Sequence, residues 1–389
     1  ALPLVSYPSP TGNARIRRRP SGEGGLVDSV DCRSVFRRMM KLADLNGYEY
    51  ELPPELIRKQ GVEPRDSARL FVYDTRTDTV SFDTFRNIAS YLPERSLLVL
   101  NDTRVLPVRL WLTKETGGKI EVFVLMNRRE SDDRIPVLVD RKVSVGQKLF
   151  FPNGDHLDVI GQDEQIFFVR LISQESFSIS QMLGRFGQTP LPHYLEGAGI
   201  PEDILRERYQ TVFARSGASV AAPTAGLHFT ERVFDSLEKQ DIRSLSVTLD
   251  VGQGTFAPLS EKNFVSKSLH TESISVSDDV ARDLNTAKAN GHLIVAVGTT
   301  ALRTLESVCR AGHFSAFSGP TDIFIFPPHH FEGADMLLTN FHLPKTSLML
   351  LVDAFLRDKG AKRDIVPLYR LAIENGFSFY SFGDSMLIL

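Results

Sequence analysis

Cysteine is nearly absent: Cys32 and Cys309 are the 2 in 389 residues. They lie far apart and neither belongs to a Cys-x-x-Cys pair, which excludes a disulfide scaffold and a cysteine-rich zinc or iron–sulfur centre. Long hydrophobic runs are also missing. The most apolar helical stretch, Ser347 to Leu356, carries Asp353 and is too short to cross a bilayer, so no membrane partner is expected. The N-terminus lacks the continuous apolar stretch of a secretory signal, and a cytoplasmic location is expected. Charge of one sign is lacking too: 45 Lys and Arg against 48 Asp and Glu leave a net charge of -3. A polyanion partner is therefore not announced globally, and any RNA contact must use a local basic patch.

What remains is an ordinary soluble composition, 42% hydrophobic, 24% charged and 9% aromatic. The length suits about two or three domains. Residues 1–46 differ from the rest. They hold Pro8, Pro10, Gly12, Pro20, Gly22, Gly24 and Gly25 around Arg15, Arg17, Arg18 and Arg19. Such a segment has little to bury and reads as a disordered basic extension, able to touch RNA phosphates or to act as a targeting peptide. Met39-Met40 marks a place where a native start would fit.

From Tyr48 onward the pattern is globular. Leu70–Tyr73 reads as a strand, Phe85–Tyr91 as a short helix, and the continuous apolar run Leu97–Leu100 as a strand buried on both faces. Between 105 and 187, short runs at 120–125, 135–139, 148–151 and 166–171 are separated by Gly, Asn and Asp turns, the pattern of a small β-barrel. The remainder alternates strand and helix: strands at 245–251, 293–297, 323–326 and 336–338, helices at 278–290 and 347–356. The expected fold is α/β: a discontinuous α/β sheet domain, 47–104 and 188–389, with an inserted small β-barrel domain, 105–187.

Ligands in open α/β sheets bind where strands end in loops. Polar loops follow several of the apolar runs. Asn101-Asp102-Thr103-Arg104 packs an amide, a carboxylate, a hydroxyl and a guanidinium together, and Arg104 can grip a carboxylate or phosphate, or pair with Asp102 as a hinge. Ser219 to Phe229 combines small residues, Ala225 and Gly226 among them, with Thr224 and His228, suiting close backbone approach and proton transfer or a plain capped turn. Asp250-Val251-Gly252-Gln253-Gly254 is Gly-x-Gly without the continuation a dinucleotide fingerprint needs. On a strand, His270 and Glu272 share a face, as a base with its orienting carboxylate or as a surface ion pair. Gly298-Thr299-Thr300 opens a helix that carries Arg303, offering amides and hydroxyls to an anion. Thr339-Asn340-Phe341-His342 and Phe379 to Met386, with Asp384, complete the set. No metal-ligand cluster is evident.

Together, Val220-Ala221-Ala222-Pro223-Thr224-Ala225-Gly226-Leu227-His228-Phe229, Ala296-Val297-Gly298-Thr299-Thr300, Thr339-Asn340-Phe341-His342-Leu343-Pro344 and Asn101-Asp102-Thr103-Arg104-Val105 resemble the S-adenosylmethionine:tRNA ribosyltransferase-isomerase family of queuosine biosynthesis. The resemblance runs from about Tyr48 to Leu389. It implies S-adenosylmethionine as co-substrate, no cofactor or metal, and a tRNA carrying 7-aminomethyl-7-deazaguanine at the wobble position. Epoxyqueuosine-tRNA, adenine and methionine would be the products. Such chemistry needs a base for a ribose proton beside the sulfonium, an acid near departing adenine, and exclusion of water. The candidate proton-transfer groups are His228, His270 with Glu272, His342 and Asp384. Asn101, Arg104, Thr224, Ala225, Gly226, Gly298, Thr299, Thr300, Arg303 and Asn340 are the candidate substrate-binding residues. Arg128, Arg129, Arg141 and Lys142 are candidate RNA contacts or a solvated face, and a monomer is expected.

The chain departs from the family pattern in places. Asp250 and Lys267 stand where members usually have His, Pro190-Leu191-Pro192-His193-Tyr194 replaces Pro-Leu-Pro-Pro-Tyr, and Phe326-Pro327-Pro328 replaces Tyr-Pro-Gly. These motivate two alternatives: a diverged enzyme using S-adenosylmethionine on another nucleoside, and a catalytically silent RNA-binding protein.

Overall fold

Three runs of apolar residues decide the architecture. Ser96–Asn101, Leu293–Val297 and Met336–Asn340 are buried almost throughout, which only a strand covered on both faces allows. In the computed structural model they form the middle of a nine-stranded sheet. The structure describes residues 40–389, apart from 130, 192–194, 196–198 and 253–257. The Arg cluster of 15–19, His193 and the Gln253-Gly254 turn lie outside the described residues. Leu42–Tyr48, at the end of the stretch expected to be disordered, is a 3-10 helix that buries Leu45 and Tyr48.

In chain order the strands are β1 (Arg69–Asp74), β2 (Thr79–Thr84), β3 (Ser96–Asn101), β4 (Thr103–Val105), β5 (Arg109–Lys114), β6 (Lys119–Val124), β7 (Ile135–Val139), β8 (Lys148–Phe150), β9 (His156–Asp163) and β10 (Ile166–Ile172). The helices α1 (Ile179–Phe186) and α2 (Glu202–Arg208) follow, then β11 (Ser216–Ser219), α3 (Glu231–Glu238), β12 (Arg243–Asp250), α4 (Glu261–Ser266), β13 (Ser268–Val276) and α5 (Asp278–Ala289). The last part holds β14 (Leu293–Val297), α6 (Gly298–Val308), the small hairpin β15 (Cys309–Arg310) and β16 (His313–Phe314), β17 (Phe317–Ile323), β18 (Met336–Asn340), α7 (Ser347–Asp358), α8 (Ile365–Glu374) and β19 (Ser385–Ile388).

The large sheet has the order β17-β13-β12-β3-β14-β18-β19-β1-β2. Its centre is parallel: β12, β3, β14 and β18 run together. β19 runs against β18, so its first residue, Ser385, stands opposite Asn340 and also beside Leu70 at the start of β1. The carboxyl ends of the central strands and the amino ends of β19 and β1 therefore share one edge. That edge collects Asn101, Asp250, Gly298, Asn340 and Asp384.

Strands β5 to β10 close into a barrel in the order β10-β7-β6-β5-β8-β9. Its interior is the alternating set Leu110, Leu112, Ile120, Val122, Ile135 and Val137, each at most 1% exposed. Two expectations differ. The strand expected at 323–326 ends at Ile323; Phe324 and Phe326 instead stack with each other, centroids 4.6 Å apart, and with Phe264. Their hydrophobicity serves an aromatic cluster, not a ladder. The C-terminal loop continues into β19, whose four residues are all buried between β18 and β1.

Candidate active site

His228 ends a 3-10 turn, Thr224–His228, that buries Ala225, Gly226 and Leu227. Gly226 is required there: a Cβ would stand 2.7 Å from the Phe213 ring and 2.9 Å from Thr211. His228 is 5% exposed and lies against the Phe85 ring, centroids 5.0 Å apart. Asn340 Nδ2 lies 3.4 Å from its Nε2 and also donates to the Tyr380 carbonyl at 3.2 Å. Burial, followed by the positive fields of Arg58 and Arg65, lowers the His228 pKa to about 4, so the ring is neutral at pH 7. A cleft lined by Gly61, Arg65, Leu227, His228, Ser381 and Phe382, among others, opens onto it.

Beside this turn, α6 springs directly from β14. Gly298 takes φ 88°, a left-handed conformation, and a methyl there would stand 3.8 Å from the Ala225 side chain. Thr299 and Thr300 follow, 6% and 8% exposed. One helical turn beyond Thr300, Arg303 donates through Nη1 to the Glu272 carboxylate, and both side chains are almost wholly enclosed, at 4% and 2%. Among the described residues, Thr300 Oγ1, Arg303 Nε, Arg303 Nη2 and Asn340 Oδ1 are buried with no hydrogen-bond partner. Natural proteins leave few such atoms; Thr300 and Arg303 lie one turn apart on α6, and Asn340 contacts His228.

Other expected residues are spent on structure. Asn101 exchanges hydrogen bonds with the Leu249 backbone, Nδ2 to O and N to Oδ1, both 3.0 Å, clamping β12 to β3. Asp384 is fully enclosed and accepts the amides of Arg69 at 2.9 Å and Ser378 at 2.8 Å, with Arg58 at 3.5 Å. His342 Nε2 lies 3.0 Å from Thr339 Oγ1, its amide donates to the Tyr369 hydroxyl, and burial lowers its pKa to about 4.

His270 is exposed, whereas Glu272 is buried and faces Arg303. The pairing of β13 with β17 shifts register between Ser268 and Glu272, which breaks the two-residue alternation that placed both on one face. Arg104 is exposed on β4. Thr224 is half-buried at the start of its turn. Among the described residues, no group of three or more His, Cys, Asp or Glu side chains could hold a metal ion. Nor is any helix there long and apolar enough to cross a membrane.

The sequence reading missed the segment before β1. Arg65 donates to the carbonyls of Gln210 and Glu207 and lines the cleft. Asp66 is fully buried; burial raises its pKa, but hydrogen bonds from Arg232 and Thr230 outweigh that and hold it below the usual carboxylate range. The available signal was Glu63-Pro64-Arg65-Asp66, a turn with opposed charges ahead of a strand.

The departures from family pattern prove to be structural positions. Asp250 accepts from the Thr103 hydroxyl and, at 2.9 Å, from the Ala218 amide, tying β12 to β4 and β11. Lys267 is exposed and caps α4 with a left-handed φ of 54°.

A mixed α/β chain that gathers neutral histidines, hydroxyls and an under-used guanidinium along one sheet edge has the build of an enzyme. Residues 45–388 match the family described as queuosine biosynthesis protein. The chain is 43% identical over 346 residues to the S-adenosylmethionine:tRNA ribosyltransferase-isomerase of Moorella thermoacetica, covering 88% of this chain and 98% of that protein. It is 39% identical over 345 residues to the protein of the same name from Caldanaerobacter subterraneus subsp. tengcongensis, again covering 88% and 98%. A crystal structure of S-adenosylmethionine tRNA ribosyltransferase from Thermotoga maritima, 30% identical, superposes with a TM-score of 0.49 over 88% of this chain and 99% of that one. The chain belongs to the S-adenosylmethionine:tRNA ribosyltransferase-isomerase family of queuosine biosynthesis.

Proposed function

We propose that this protein transfers and isomerises the ribosyl group of S-adenosylmethionine onto the 7-aminomethyl-7-deazaguanine of a tRNA wobble position, releasing adenine and methionine and leaving epoxyqueuosine-tRNA. The observation that carries this reading is the His228–Asn340 contact. It joins two family segments far apart in the chain at one cleft, with Gly298-Thr299-Thr300 alongside.

The chemistry begins with loss of a C5′ proton, acidified by the adjacent sulfonium. His228 is the group suited to accept it: its enclosed imidazole is unprotonated at pH 7 and lines the cleft, with Nε2 facing Asn340. Adenine then leaves C1′, the uncharged aminomethyl group attacks, and ring closure to the epoxide expels methionine. The first turn of α6 presents Thr299, Thr300 and backbone amides to the nucleoside. The enclosing residues keep water from the intermediate. Asp384, His342 and Asn101 hold the walls in place, and Glu272 orients Arg303. S-adenosylmethionine acts as co-substrate, with no metal or separate cofactor. The working form is a cytoplasmic monomer.

The barrel, read as an inserted domain over 105–187, is assigned to the RNA. Trp111 on β5 is 46% exposed and suited to stack on an unpaired base, and Arg128 and Lys142 are exposed cations, whereas Arg129 and Arg141 are paired with Asp132 and Asp140. The test is incubation with S-adenosylmethionine and precursor-bearing tRNA, followed by adenine quantification and mass spectrometry of the nucleosides. Adenine release with a different nucleoside product would favour the diverged enzyme. RNA binding without adenine release would favour the silent binding protein.

A further inference from the structure

Arg303 stands out among the buried charges. Its Nη1 is committed to Glu272, but Nε and Nη2, the two donors along the other edge of the guanidinium, are buried without a partner among the described residues. That edge is the one a carboxylate meets with two parallel hydrogen bonds. The same protein uses it so elsewhere: Arg232 grips Asp66 through Nε at 3.0 Å and through Nη2 at 2.5 Å. At Arg303 the acceptor that would complete the fork is not supplied by the described part of the chain.

The surroundings select the occupant. Long helical side chains lean toward the helix N-terminus, so Arg303 reaches back along the face that carries Thr300, whose hydroxyl is also buried and unpartnered. The first turn of α6, an 11-residue helix, adds free amides and the positive end of its dipole. Glu272 already neutralises the guanidinium, so an incoming anion gains most if it brings a cation of its own. Arg303 is 4% exposed, too enclosed to be reached by a polymer backbone.

We infer that the free Nε–Nη2 edge of Arg303, beside Thr300 on the first turns of α6, is a subsite for the carboxylate of a zwitterionic amino-acid group. Resting on the proposed function, this is the methionyl end of S-adenosylmethionine. The subsite anchors the part of the substrate that departs as methionine, while the ribose lies toward the His228 cleft.

Calorimetry with S-adenosylmethionine and with its decarboxylated analogue tests this on the intact protein. The unaltered chain should prefer the carboxylate-bearing ligand about 10- to 100-fold, the worth of hydrogen bonds between charged groups. Arg303→Gln should abolish that preference while leaving the analogue's affinity unchanged, and Arg303→Lys should restore part of it. Because Arg303→Gln leaves Glu272 buried alone, the charge-matched Arg303→Gln/Glu272→Gln protein serves as a second variant, with thermal unfolding as the check on folding. If neither variant folds, Arg303→Lys takes their place, and equal affinity of the two ligands for the unaltered chain still overturns the subsite.

Equal affinity for the two ligands, or a preference that survives in Arg303→Gln, overturns the subsite while leaving the proposed function standing. A variant whose tRNA affinity and salt dependence change, with ligand preference intact, would assign the edge to an RNA phosphate and also overturn it. No binding of either nucleoside to the unaltered chain sinks the proposed function itself and the subsite with it.

Discussion

Asp66–Arg232 and Glu272–Arg303 are both pairs of carboxylate and guanidinium, and they are built in opposite ways. Asp66 is enclosed, yet Arg232 reaches it from a side chain 58% exposed, and Thr230 donates a further hydrogen bond at 2.8 Å. Its carboxylate is fully supplied, and the pair pins the segment before β1 to α3. In the second pair both partners are enclosed, yet among the described residues only Nη1 of the guanidinium finds an acceptor. Saturated pairs, with Asp384 and Asn101 as further cases, serve as anchors. Under-used groups, Arg303 with Thr300 and Asn340 Oδ1, cost stability as they stand, a cost that ligand binding at the proposed subsite would offset.

The contrast can be broken by substitution. His228→Ala should lower turnover at saturating substrate about 10²- to 10⁴-fold, the usual worth of a general base, measured below the variant's own unfolding transition, which falls because a buried ring is removed from beside Phe85. Full activity in that variant removes His228 from the mechanism. Asp66→Ala, on the anchored side, should cost about 2–4 kcal/mol of stability, because it strips a buried, fully bonded carboxylate from its donors. Chemical denaturation measures this, and an unchanged midpoint would contradict the anchoring role.

Acid should sharpen the contrast further. His228 and His342 titrate near 4 in the folded protein against 6.5 when free, so the unfolded chain binds protons first. Their contribution to stability is complete above 6.5 and falls as pH drops toward 4. Denaturation midpoints at pH 7 and pH 5 should show the loss, and His342→Asn should flatten the slope. The smallest effect belongs to Thr300→Val. Replacing an unpartnered buried hydroxyl with a methyl should leave stability unchanged or raise it by up to about 1 kcal/mol, while ligand affinity falls. A clear loss of stability would mean that the hydroxyl is already satisfied.

Much of the sheet was legible because its strands are continuous apolar runs, and the loop residues Thr224 to His228, Gly298 to Thr300 and Asn340 were legible as unusual polar turns after them. Partnerships across the chain were not. Nothing local in Asp66 announces Arg232, 166 residues away. Nothing in the spacing of His270 and Glu272 announces the register shift that separates their faces. Asp384 looked like a proton-transfer group because sequence shows its carboxyl but not the two amides that occupy it.

The place of β19 carries a consequence for biogenesis. In the large sheet, β1 and β2 join the parallel centre only through β19, whose residues 385–388 come near the end of the chain. During synthesis, β1 emerges from the ribosome well before β19 and must wait, its edge unpaired, until residues 385–388 follow. A nascent chain stalled before residue 385 would present that edge as a template for aggregation, so chaperone dependence should persist until β19 has emerged.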